Sequence, residues 1–225
     1  KVIEIAKELD LKLIIPLTDA YNYYHGGYYN FCESCEGNTL SKNPWDMTTG
    51  CKDFFITDSS SNVRFKKYIA YVLDHEVNGM PLKNEPCILA WETGNELQIT
   101  DWTDASGVKQ NWASTWTIDI ATYIKNTCKA KQLVMDGRDM WQQQGQIDPS
   151  NNKPIDWTTK NSANYPLDKD PYLIQVLKCD YISIFTDHLY NTWVNPDTNK
   201  CDICYFMTRI NNAANFFHND TNKKA

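Results

Sequence analysis

Short apolar runs alternate along the chain with stretches in which apolar residues recur every three or four positions. Leu11–Leu17 (LKLIIPL), Cys87–Trp91 (CILAW), Gln132–Met135 (QLVM) and Tyr181–Phe185 (YISIF) predict four strands. Their continuous apolarity suits a parallel sheet covered on both faces. Helical patterns lie between them. Val2, Ile5, Ala6 and Leu9 fall at i, i+3, i+4 and i+7 and predict an amphipathic helix with which the chain begins. Asn62 can cap a helix in which Phe65, Ile69, Val72 and Leu73 share a face, stopped by Asn78-Gly79 with Pro81 beyond. Trp112, Trp116, Ile120, Tyr123 and Ile124 form a second such face, and Pro171–Leu177 and Ile203–Phe217 predict two more helices. This alternation gives an α/β class with a parallel sheet. The segments Thr18–Phe55 and Asp136–Asp170 are long, polar and aromatic, as functional loops commonly are.

At 225 residues and 42% hydrophobic, the chain can hold one sizeable core or form part of a somewhat larger domain. No apolar run nears the ~18 residues of a membrane span. A net charge of −6 with scattered Lys and Arg argues against a nucleic-acid surface and an anionic-membrane patch. Eight cysteines point to an oxidising compartment and structural disulfides of unreadable connectivity. Cys32-x2-Cys35 and Cys201-x2-Cys204 could supply four zinc ligands, but the pairs lie far beyond the ~15–20 residue separation of a zinc ribbon. No metal or other cofactor is therefore expected, and the protein is expected to be a secreted monomer.

Glu96 stands at the C-terminal end of the second strand, the end on which parallel α/β barrels assemble catalytic groups. Taken alone it also fits a helix-capping or ion-paired glutamate. Neighbouring residues on a regular strand point to opposite sides, so Asn95 and Glu96 need a local irregularity to converge, which Gly94 can supply. His188 and Tyr190 lie two apart just beyond the fourth strand, where extended backbone aims both the same way. An imidazole and a phenol there could hold a carboxylate or a sugar hydroxyl.

These segments, in this order, resemble the retaining endo-β-1,4-mannanases of glycoside hydrolase family 5, clan A. The likeness runs through Leu13–Leu17, Tyr21 and Gly26-Gly27; Phe54-Phe55; Glu85–Glu92 leading into Gly94-Asn95-Glu96; and Asp180–Ile182 leading into His188-Leu189-Tyr190 and Trp193. It implies a (β/α)8 barrel and a β-1,4-linked polysaccharide or oligosaccharide substrate. Glu96 would be the acid/base, and Asn95 would bind the sugar 2-hydroxyl. His188 and Tyr190 would line the catalytic subsite, while Glu92 would be a structural glutamate inside the barrel. Trp141 and Trp193 would be platforms for pyranose rings. Tyr21 stands where the family usually has Trp and would contact substrate.

Retention requires a second carboxyl about 5–5.5 Å from the first. In the family that nucleophile is a Glu after the seventh strand, and no Glu follows Glu96 here. The four strands correspond to about the third to sixth of the barrel. Residues 1–225 are therefore expected to be an internal fragment of one (β/α)8 catalytic domain, inactive by itself. A β-1,4-glucanase of the same family, a carbohydrate-binding relative without a nucleophile, and a zinc-stabilised interaction domain are the competing expectations.

Overall fold

A computed structural model describes residues 1–21, 27–32, 52–97, 102–103, 109–110, 112–137, 147–148, 153–154, 167, 171–188 and 203–220. Nine main elements follow in order: α1 (Val2–Glu8), β1 (Leu13–Pro16), α2 (Ser60–Asp74), β2 (Ile88–Glu92), α3 (Trp112–Thr122), β3 (Leu133–Asp136), α4 (Pro171–Val176), β4 (Ile182–Phe185) and α5 (Ile203–Asn215). The four strands form one parallel sheet in the order β1-β2-β3-β4. Each predicted strand is present: β1 and β4 are shorter than the sequence pattern predicts, and β2 and β3 keep their length but begin and end one residue later.

Register decides which side chains share a face. Ile15 pairs with Trp91, Trp91 with Val134, and Val134 with Ile182. Trp91, Val134 and Ile182 are fully buried and join Phe65, Ile69, Leu73, Trp116, Ile120, Ile124 and Leu173 in the core. Side chains alternate along a strand, so the row Ile14–Ala90–Leu133 faces the other way. Ala90 in this row is buried but Ile14 and Leu133 are 43% and 40% exposed, so this face is covered only in part, not throughout as the sequence pattern predicts. In a closed barrel the inward face packs against strands from across the barrel.

Three sequence expectations are corrected. In α1 it is Ile3 and Ala6 that are buried, whereas Val2, Ile5 and Leu9 of the predicted stripe are exposed. Ser59, not Asn62, caps α2, since its side chain accepts from the Asn62 backbone N–H at 3.1 Å. Asn62 is instead fully buried and donates to Asp119 Oδ2 of α3 at 3.3 Å. Asn78-Gly79, read as a helix stop, forms the two-residue turn of a hairpin between Glu76–Val77 and Met80–Pro81. Both residues have positive φ, the conformation such turns require.

Cys32 is disulfide-bonded, which removes its thiolate from any zinc set, and Cys87, Cys128 and Cys179 are buried free thiols. Cys35, Cys201 and Cys204 lie outside the described residues. Among the described residues no three acidic, His or Cys side chains could hold a metal ion, and no helix is long and apolar enough to cross a membrane.

Beneath the sheet, one amide joins three segments. Gln132 donates to the carbonyls of Leu82 and Glu85 at 2.9 and 3.0 Å and accepts the Trp91 indole N–H at 3.0 Å. Gln132→Leu would leave that indole N–H buried without its acceptor. Unmade buried bonds cost about 1–3 kcal/mol each, so a loss of about 3 kcal/mol is expected, read as a lower urea midpoint at unchanged slope.

Candidate active site

The β1–β2 pairing continues past both strand ends. Leu17 N–H donates to Glu92 O, Asn95 N–H to Thr18 O, and Ala20 N–H to Asn95 O, each at 3.0 Å. Asp19 and Asn95 thereby face each other in a parallel bridge, and Asn95 Nδ2 donates to Asp19 Oδ2 at 3.2 Å. Asp19 Oδ1 also accepts the Tyr21 backbone N–H at 2.8 Å. The segment after β1 is thus held over the end of β2.

Glu96 itself breaks the strand geometry. Its φ is +51°, and its N–H donates to Gly137 O beyond β3 at 2.9 Å. A side chain in the left-handed region costs about 1–2 kcal/mol, and residues held there cluster at functional sites. The irregularity expected at Gly94 is one residue pair further on. Gly94 lies outside the left-handed region and is small for another reason: a Cβ there would collide with Leu97 and Thr18.

The Glu96 carboxyl, 6% exposed, is gripped at both oxygens. The Tyr21 hydroxyl donates to Oε2 at 2.6 Å, and His188 Nδ1 lies 2.5 Å from Oε1. These partners come from the ends of β1 and β4, at the two margins of the sheet.

Below Glu96, Glu92 ends β2 with 8% exposure, and its Oε1 has no hydrogen-bond partner. Burial pushes its carboxyl up to about 7, helped by the negative charges of Asp136, Asp19 and Glu96 and opposed by His188. Gly137 makes room for it, because a Cβ at that position would overlap the Glu92 carboxylate. Asp136, fully buried, accepts the Tyr172 hydroxyl at 2.6 Å, and its carbonyl accepts the Thr186 hydroxyl at 2.8 Å.

The structure therefore brings together Glu96, Asn95, His188 and Tyr21 from the sequence-predicted set. Tyr190, Trp141 and Trp193 lie outside the described residues. Asp19, Asp136 and Gly137 were missed by sequence reasoning. Their shared signal is position, each within a few residues of a strand's C-terminal end.

The chain matches a family model described as GH family 5 beta-mannosidase-like over residues 1–162. The chain belongs to glycoside hydrolase family 5. It is 32% identical over 121 residues to mannan endo-1,4-beta-mannosidase 5 of Arabidopsis thaliana, a match covering 52% of this chain and 26% of that protein. Its fold resembles the endo-beta-1,4-mannanase from Thermotoga petrophila at a TM-score of 0.63 and 24% identity, over 96% of this chain and 41% of that one. For the endo-1,4-beta-mannanase from Rhizomucor miehei the TM-score is 0.62 at 23% identity, over 99% of this chain and 55% of that one. The chain thus spans about a quarter of the curated relative and about half of these structures. This family 5 sheet is four consecutive βα units of a (β/α)8 barrel.

Proposed function

We propose that Glu96 is the acid/base carboxyl of a retaining hydrolase of β-1,4-mannan, with residues 1–225 an internal part of its catalytic barrel. One observation carries this reading. A nearly buried carboxyl at the C-terminal end of a parallel sheet is clamped by a phenol and an imidazole from other strand ends, with its backbone in the left-handed region. The mannan endo-1,4-beta-mannosidase matched above supports the substrate class.

In the first step the bond pair between the anomeric carbon and the bridging oxygen leaves with that oxygen, which takes the Glu96 proton. A second carboxylate, supplied by the same barrel outside residues 1–225, bonds the anomeric carbon. In the second step Glu96 takes a proton from water as that water displaces the carboxylate. Asn95, held by Asp19, presents its amide to the sugar 2-hydroxyl. His188 lines the subsite, and Tyr190, Trp141 and Trp193 keep the binding roles that the sequence suggests. The Cys32 disulfide favours secretion, since such bonds persist in oxidising compartments.

The test is hydrolysis of β-1,4-mannan and of carboxymethylcellulose by the full protein, with product anomers followed by NMR. Mannan is expected to be cleaved preferentially with β-anomers appearing first, while the 225-residue chain alone releases no reducing ends. Initial α-anomers, or preferential cleavage of the glucan, would defeat the proposal.

A further inference from the structure

Tyr21 was expected to contact sugar, but its hydroxyl meets Glu96 Oε2 at 2.6 Å. On the other side, His188 Nδ1 lies 2.5 Å from Oε1 and, in the tautomer that carries its hydrogen on Nε2, accepts from it. A carboxylic acid carries its proton on one oxygen. The oxygen that accepts the phenol's hydrogen bond is the poorer site for it, which leaves Oε1 as the carrier. We propose that Tyr21 is a positioning residue: its phenol holds Oε2 of Glu96, so that the proton exchanged with substrate is carried on Oε1, against His188. This rests on Glu96 being the acid/base.

The electrostatic consequence has a sign. A phenol donates more strongly to a carboxylate than to a carboxylic acid, so Tyr21 stabilises the ionised form left after proton transfer. Among the described residues, the groups around the pair are Asp19 and Tyr21 beyond β1, Glu92 on β2, Asp136 at the end of β3 and His188 beyond β4. All of these except His188 are acidic or neutral, and the Tyr21 hydroxyl donates to Oε2 against those acidic surroundings.

Tyr21→Phe in the full protein keeps the ring and removes the bond. Its alkaline limb of kcat/KM should move upward by about one pH unit, with kcat about tenfold lower and KM within about twofold. Tyr21→Trp should behave likewise, because indole cannot reproduce the phenol at that place. A stacking platform predicts the reverse: Phe and Trp would leave the profile in place. A second measurement needs no turnover. With 13C-labelled tyrosine, the Tyr21 Cζ resonance of the unsubstituted protein should follow the Glu96 titration and cease to do so in Glu96→Gln. A stationary Tyr21 resonance, or an unmoved pH profile in Tyr21→Phe while Glu96→Gln is inactive, overturns this inference alone. Hydrolysis that survives Glu96→Gln overturns the functional reading and this inference with it.

Discussion

Glu96→Gln in the full protein is expected to lower kcat on β-1,4-mannan by about 10²–10⁴-fold with KM little changed, the range that a positioned general acid/base contributes. Glutamine has the shape of glutamate and can still accept the Tyr21 hydroxyl, so the clamp on one side survives. What it lacks is a proton of suitable acidity for the bridging oxygen and a base for the incoming water. The two halves of the reaction separate with leaving group. An activated aryl mannoside departs without protonation, so its first step should be nearly unaffected, whereas attack of water on the glycosyl-enzyme still lacks its base. The variant should therefore release a burst of aryl alcohol followed by slow turnover, while on mannan it shows neither. A Glu96→Gln protein that cleaves mannan within about threefold of the unsubstituted rate would leave Glu96 with a structural role.

How far the sequence carried depended on whether a feature was local. The strands were legible because each is a short apolar run bounded by polar residues, and all four occur where predicted. The buried face of α2 was legible because Phe65, Ile69 and Leu73 recur at the four-residue spacing of one helix face over fifteen residues. In α1, Val2, Ile3, Ile5 and Ala6 leave apolar residues on both sides of a seven-residue helix, so periodicity could not choose between them. Packing chose Ile3 and Ala6.

The site divides in the same way. Asn95, Glu96 and His188 could be found because strand ends and family motif coincide there. The Tyr21 side of the clamp on Glu96 could not, since Tyr21 is 75 residues away in sequence and is set in place by Asp19 through its backbone N–H. Gly94 was a reasonable source of irregularity on propensity alone, yet its neighbours Leu97 and Thr18 require its size, and Glu96 adopts the unusual backbone instead. Gly137 offers only its position just beyond β3 as a signal. Its meaning appears when β2 and β3 lie side by side and the Glu92 carboxylate fills the space a side chain would take.

Glu92 makes stability depend on pH. Its carboxyl stands at about 7 in the folded protein against an ordinary value of 4.5. Below pH 4.5 it is protonated in both states and contributes nothing. Between 4.5 and 7 the unfolded chain gives up the proton while the folded protein keeps it, so stability falls as pH rises. Above 7 both are ionised and the folded state carries the whole penalty, about 3 kcal/mol. Glu92→Gln, neutral and of equal size, should match the unsubstituted protein at pH 4 and exceed it by about 3 kcal/mol at pH 8 in urea denaturation. The comparison between the two proteins matters because Glu85 acts in the opposite sense. Burial pushes Glu85 upward, but Lys7 at 2.7 Å and the Cys87 N–H outweigh it and hold the carboxyl below its ordinary value. Its contribution is therefore present above the unfolded value and lost as pH falls, and it cancels when the variant is set against the parent. A difference between the two proteins that stays constant from pH 4 to 8 would mean that Glu92 ionises in its buried place as freely as in water, which its missing partner and its contact with Gly137 do not allow.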